Sequence, residues 1–203
     1  MDKNKRRCSW FEGDTLNEQY HDHEWGVPIY DDLRFFEFLT LETFQAGLSW
    51  ITILQKRENF KKAFNQFDYE KVAYYGDEKI KALLNNKGIV RNKLKIKATI
   101  NNAQRFIAIR KKHRTFSRYI WAFVGGKPLQ NTFKTLDKVP AKTLLSEIIS
   151  KDLSKNGFKF VGPTIIYSLM QASGIVNDHL LECYRYVELN NLIRKANHHP
   201  AHQ

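Results

Sequence analysis

Glu42 ends an apolar run, Phe35-Phe36-Glu37-Phe38-Leu39-Thr40-Leu41, and Trp50 follows the stretch Thr43-Phe44-Gln45-Ala46-Gly47-Leu48-Ser49. A carboxylate on such a stripe is at least partly buried, and buried carboxylates are rare unless they are paired or have a chemical task. A second window, Tyr20-His21-Asp22-His23-Glu24-Trp25-Gly26-Val27-Pro28, is as dense in aromatic and titratable residues. Trp10, Tyr20 and Trp50 suit the stacking of a planar base, with Glu42 reading the edge of that base. The same residue types also fit a plain core in which Glu42 pairs with a lysine.

Cys8 and Cys183 are the two cysteines of the chain. His179 and Cys183 are spaced i, i+4, which on a helix capped by Asp178 puts both on one face within reach of one ion. Cys8 and His21 add a second pair. Two thiolates with two imidazoles suit tetrahedral zinc rather than calcium or magnesium. Four protein ligands leave no open position, so such an ion is structural and clips the two ends of the chain together. Neither pair has zinc-finger spacing on both sides. A set using His23, His198 or His199 fits the spacing as well, and so does a reading with no ion at all.

The segment Lys155-Asn156-Gly157-Phe158-Lys159-Phe160-Val161-Gly162-Pro163-Thr164 joins two helices, the second running from Pro163 to Ala172 and stopping at Gly174. Proline suits the first helical position, and Gly157 and Gly162 permit positive φ in a tight turn. Amides left free at the helix start after Gly162 bind a phosphate. Phe158, Phe160 and Val161 are expected to anchor the turn in the core. The element has the shape of a helix-hairpin-helix, which grips a backbone phosphate without reading sequence. It is also the shape of an ordinary helical corner.

The elements that must position these groups are helical. The chain has 203 residues, enough for one domain with its own core, and 33 Lys+Arg against 21 Asp+Glu give a net charge of +12, which favours polyanionic partners. No apolar run approaches the ~20 residues of a membrane span. No apolar segment follows the basic start Met1–Arg7, so a cytoplasmic location is expected, where two thiols stay reduced. Spacing near 3.6 predicts a buried helix over 33–41 opened by Asp31 or Asp32. It also predicts one with the face Phe60, Ala63, Phe64, Phe67, one capped by Asp68, and one around Ile80, Leu83 and Leu84. After Gly88 a basic turn enters a helix to about Ile109, with 110–115 as a loop. A short helix over 117–124 surrounds Trp121 and stops at Gly125-Gly126. Residues 127–142 read as an irregular connection, Leu144 to Leu153 as a helix, and the polar stretch 190–203 as a fraying end. The fold class is all-α.

The windows taken together resemble the 3-methyladenine DNA glycosylase I family. The likeness runs from Cys8-Ser9-Trp10 through Tyr20–Pro28, Leu41-Glu42 and Gln45-Ala46-Gly47-Leu48-Ser49-Trp50. It continues through Gly157–Gly162, Tyr167-Ser168, Met170-Gln171-Ala172 and Val176-Asn177-Asp178-His179 to Cys183. The resemblance implies a helix-hairpin-helix DNA glycosylase fold over 1–188, with the hairpin element at about 144–173 and a flexible tail over 189–203. It implies a structural zinc on Cys8, His21, His179 and Cys183, and a base pocket of Trp10, Tyr20, Glu42 and Trp50 with Glu42 as the catalytic group. Gly47 and Leu48 are implied to press into the gap left by a flipped nucleotide. Gly157, Lys159, Gly162 and Thr164 are implied to meet the DNA backbone. The activity implied is monofunctional hydrolytic release of 3-methyladenine from alkylated double-stranded DNA by a monomer. Asn17 stands where the family has a pocket tyrosine, and Thr43 and Phe44 where it often has Gly or Gln. These departures bear on substrate range more than on the reaction.

Overall fold

Sequence-local signals set most helix starts. A computed structural model describes residues 5–198, which form ten α-helices and one two-stranded parallel sheet. The helices are α1 (Thr15–His23), α2 (Asp32–Gln45), α3 (Trp50–Ala63), α4 (Tyr69–Val72), α5 (Asp77–Asn85), α6 (Lys93–His113), α7 (Phe116–Ala122), α8 (Leu144–Lys155), α9 (Pro163–Ala172) and α10 (Tyr184–His198). Asp14, Asp31, Asp68, Asn92 and Thr115 each accept a backbone N–H from the first turn of the helix they precede. Thr143 and Ser146 form a reciprocal capping box on α8.

Every residue of α2 from Phe35 to Phe44 is buried, so this helix is covered on all its faces and runs through the centre of the molecule. It packs on α3, α6, α7 and α9. Phe36, Phe106, Phe116 and Tyr69 fill one end of the core with ring pairs 4.2–5.9 Å apart. Phe44, Phe60, Phe64 and Phe67 fill the other. Asp32, at the start of α2, accepts from the free amides of Phe116 and Ser117 and from Arg110, which locks α7 across α2.

Several boundaries differ from the sequence reading. The face Phe60–Phe67 is buried as expected, but α3 stops at Ala63 and the left-handed residues Asn65–Phe67 carry the last ring inward. α6 continues through the charged stretch to His113, because Arg110 finds Asp32 and Glu70 and the basic side chains suit the carbonyl end of the helix. Within 127–142, β1 (Leu129–Gln130) pairs with β2 (Val176–Asn177). α10 extends across residues 190–198, where fraying was expected, and Leu189 is fully buried. His199 lies outside the described residues.

Gly174 sets how closely the N-terminal third approaches α9. Gly26 donates to the Gln171 carbonyl and Ile29 to that of Ser173. At Gly174 φ is +68°, and a methyl there would stand 2.4 Å from the Val27 carbonyl carbon and the Pro28 nitrogen. Gly174→Ala is therefore expected to cost about 3 kcal/mol or more, through positive φ and forced separation of two backbones. A denaturant melt reads this directly, and an unchanged midpoint would contradict the close approach.

Candidate active site and metal cluster

α1, α2, the start of α3 and α9 converge on one cavity of about 330 Å³. Trp10, Tyr20, Glu42 and Trp50, the four residues expected to form a pocket, all line it. Glu42 is 4% exposed, and no donor among the described residues bonds its carboxyl group. Burial alone pushes its pKa up to about 8. Arg34 and Arg57 are both committed to Glu24 and Glu37 in a closed set of ion pairs at 2.6–2.8 Å. Two cations and two anions cancel there.

The aromatic walls are tightly coupled. Tyr20 and Trp50 have centroids 5.0 Å apart, and Trp10 meets Trp25 edge-on at 5.5 Å. Burial raises the Tyr20 phenol well above its ordinary value, so it remains a neutral hydrogen-bonding group. The indole N–H of Trp50 is buried without a partner, as is the amide oxygen of Asn17. The Asn17 amide nitrogen donates to the Trp10 carbonyl at 3.2 Å. Asn17 thus belongs to the cavity wall, as the sequence reading anticipated for a departure in the pocket.

The opposite wall was not foreseen. Tyr167, Ser168 and Gln171 reach in from α9, and Leu136, Val139, Pro140 and Ala141 close the side. Asp178 does not cap a helix. It is fully buried and accepts from Tyr167, Gln171 (2.8 Å) and Asn131 (2.6 Å), which holds two wall residues in place. The spacing Tyr167, Gln171 on one helical face was the available signal. The aperiodic segment 136–141 offered none.

Thr164 lines the cavity from the exposed start of α9. Gly47, Leu48, Gly157, Lys159 and Gly162 stand outside it, on exposed turns or partly so. Gly47 has φ +82° and leaves Leu48 39% exposed. In the hairpin the left-handed residues are Gly157 (φ +86°) and Phe160 (φ +54°), whereas Gly162 has φ −59°. Phe158 and Val161 are buried, but Phe160 is 37% exposed, because the left-handed step at Phe160 turns its ring outward.

Cys8, His21, His179 and Cys183 lie together, fully buried, with their ligand atoms within 4.8 Å of one another. His21 Nε2 is 3.1 Å from His179 Nδ1 and 3.3 Å from Cys183 Sγ. The outer nitrogens are held by the Asp22 carboxylate (2.8 Å) and the Trp25 carbonyl (3.0 Å), which fixes both rings with the inner nitrogen toward the cluster. Arg7 grips the same Asp22 carboxylate. Burial holds His179 below its ordinary pKa, so the ring is neutral and able to ligate. His179 and Cys183 are not on a helix. A turn before α10, closed by Cys183 N–H on the Leu180 carbonyl, brings them together.

The methyladenine glycosylase family model matches residues 10–186. DNA-3-methyladenine glycosylase 1 of Escherichia coli (strain K12) is 46% identical over 180 residues, 89% of this chain and 96% of the relative. A crystal structure of a 3-methyladenine DNA glycosylase I superposes with a TM-score of 0.86 at 47% identity, covering 88% of this chain and 98% of the other. A variant 3-methyladenine DNA glycosylase I, solved in complex with 3-methyladenine, gives 0.85 at 36% identity, covering 88% and 96%. With its overall fold and its sequence agreeing over most of its length, the chain belongs to the methyladenine glycosylase family.

Proposed function

We propose that this chain is a base-excision repair enzyme, a DNA glycosylase that flips 3-methyladenine out of alkylated DNA and hydrolyses its N-glycosidic bond. The observation that carries the reading is the buried, unpaired Glu42 in an aromatic cavity. Methylation at N3 gives adenine a positive charge and makes it a good leaving group, so little acid help is required. Glu42 accepts hydrogen bonds from the edge of the base and, once ionised, complements that charge. Trp50 and Trp10 stack on the electron-poor ring, and Tyr20 adds a polar contact. An uncharged adenine leaves poorly and does not compensate the desolvated carboxylate, which gives selectivity in both binding and chemistry. Flipping costs a few kcal/mol, offset by stacking and by phosphate contacts.

Gly47 and Leu48 are assigned to the gap left by the flipped nucleotide, and Gly157, Lys159, Gly162 and Thr164 to the phosphate backbone of the duplex. Gly162 is a clean place to test this, since a Cβ there meets nothing within 4 Å. Gly162→Asp is expected to weaken binding to every DNA sequence alike by about tenfold, through charge repulsion at a phosphate. Unchanged affinity for undamaged duplex would argue against that role.

Cys8, His21, His179 and Cys183 are the residues that would hold a zinc ion, and the donor set with its two fixed imidazoles fits one. When bound, zinc would fasten the chain's two ends with a filled shell of protein ligands. The proposal places the glycosylase domain at residues 1–188, with the hairpin element at about 144–173, and has the enzyme act in the cytoplasm as a monomer. No helix among the described residues is long and apolar enough to cross a membrane.

Chromatography of the bases released from methylated duplex DNA tests the function. Release of 3-methyladenine, with little 7-methylguanine and nothing from untreated DNA, is expected. No release from folded protein would leave a damage-binding protein without turnover.

A further inference from the structure

α6 touches both of the elements assigned to DNA, and it does so with polar side chains that bond the backbone of each. Near its start, Lys95 is 6% exposed and has no carboxylate partner. Its ammonium donates to the Phe44 carbonyl at 2.9 Å and the Ala46 carbonyl at 2.6 Å. These are the last carbonyls of α2, the negative end of that helix, which accounts for a buried lysine without a counter-ion. The clamp lies between Glu42 and the Gly47–Leu48 turn. Two turns further along, Asn102 is 2% exposed and forms two bonds with the backbone of Lys159. It accepts the Lys159 N–H at 2.8 Å and donates to the Lys159 carbonyl at 2.9 Å. Asn101 adds a bond to the Gly157 carbonyl at 2.9 Å.

Lys95 and Asn102 are seven residues apart, so they share a face of α6 with a rise of about 10 Å between them. A helix is stiff over that length, whereas both turns it holds are exposed and carry left-handed residues. Resting on the glycosylase reading above, we infer that Lys95 and Asn102 are positioning residues that fix, through the body of α6, the spacing between the Gly47–Leu48 turn and the hairpin. Phosphate grip and lesion extrusion then act on one stretch of duplex in register. Neither side chain touches the base.

The two halves separate by readout. Lys95→Met keeps the stem and removes the donor. It is expected to leave affinity for undamaged duplex nearly unchanged and to slow single-turnover excision about tenfold. The deficit should shrink to about twofold when the lesion lies opposite a mismatch, where extrusion costs less. Lys95→Arg, which can donate to both carbonyls, should recover most of the rate. Asn102→Ala is expected to weaken binding of undamaged duplex about tenfold, with binding of free 3-methyladenine, read by tryptophan quenching, unchanged.

Equal slowing of paired and mismatched lesions by Lys95→Met would reduce Lys95 to a structural part and overturn the inference. So would wild-type duplex affinity in Asn102→Ala. The wild-type control keeps the two readings distinct. If it releases no base, the glycosylase reading fails, and the Asn102 arm on undamaged duplex still decides the hairpin half.

Discussion

Glu42→Gln is expected to slow release of 3-methyladenine by about 100-fold or more, while binding to undamaged DNA stays within about twofold. The substitution keeps the volume and removes the one charge that the cavity can offer a cationic base. In the free enzyme the carboxyl titrates at about 8. Only the ionised form complements the cation, so kcat/KM on methylated DNA should climb with pH up to about 8 and then level off. That limb should vanish in the Gln variant. An excision rate like the wild type's, or a persisting limb, would remove Glu42 from the mechanism.

The same shift has a stability signature. The folded chain holds the Glu42 proton more tightly than the unfolded chain, whose group titrates near 4.5. Stability contributed by the protonated form is therefore present in full below about 4.5 and lost as pH rises through about 8. Glu42→Gln should match the wild type in acid and exceed it above pH 8, by on the order of 5 kcal/mol at most. Gaining stability while losing activity is the expected mark of a desolvated functional group.

The second large effect concerns the metal. Purified protein is expected to carry about one zinc per chain, and Cys8→Ser or Cys183→Ser to carry almost none. Structural zinc contributes folding free energy directly, here to a chain that already has a core. A loss of about 4 kcal/mol would lower the melting temperature of a chain this size by roughly 10 °C. Elemental analysis and melting with and without a chelator read both. Metal-free protein that melts as high as the loaded form would make the four residues a thiol–imidazole core and nothing more. Asp22→Asn should weaken the metal by about tenfold without removing a ligand, since it frees the His21 ring.

How far the sequence carried the fold depended on whether a signal was local. α9 was bounded correctly because Pro163 opens it and Gly174 ends it. α2 was recognisable as a core helix because Phe35, Phe36, Phe38, Leu39 and Leu41 crowd its middle, and Asp31 caps it as expected. α6 was cut short at Ile109 because Arg110 to His113 look like a loop until Asp32 and Glu70 arrive from elsewhere. The positive φ assigned to Gly162 belongs to Phe160, whose backbone conformation is imposed by the hairpin's anchors rather than chosen by its residue type. In the site, Trp10, Tyr20, Glu42 and Trp50 were found through composition and resemblance, and they do converge. Lys95 looked like one more cation in a basic run. Only the fold reveals that its charge is spent on the carbonyls of α2.

The clasp between the chain's two ends also governs how the molecule comes into being. Cys8 and His179 meet across 171 positions of sequence, and Trp10 shares its cavity with Gln171. Synthesis proceeds from the N-terminus at about 5–20 residues per second, so Trp10, Tyr20 and Glu42 emerge from the ribosome many seconds before the wall that completes them. During that interval the phenylalanine-rich α2 has no α9 to cover it, and the Glu42 carboxyl remains in water with an ordinary affinity for its proton. A nascent or truncated chain thus has a sticky core segment and no base pocket. The complete cavity arrives late and all at once, when the last helices dock on the first.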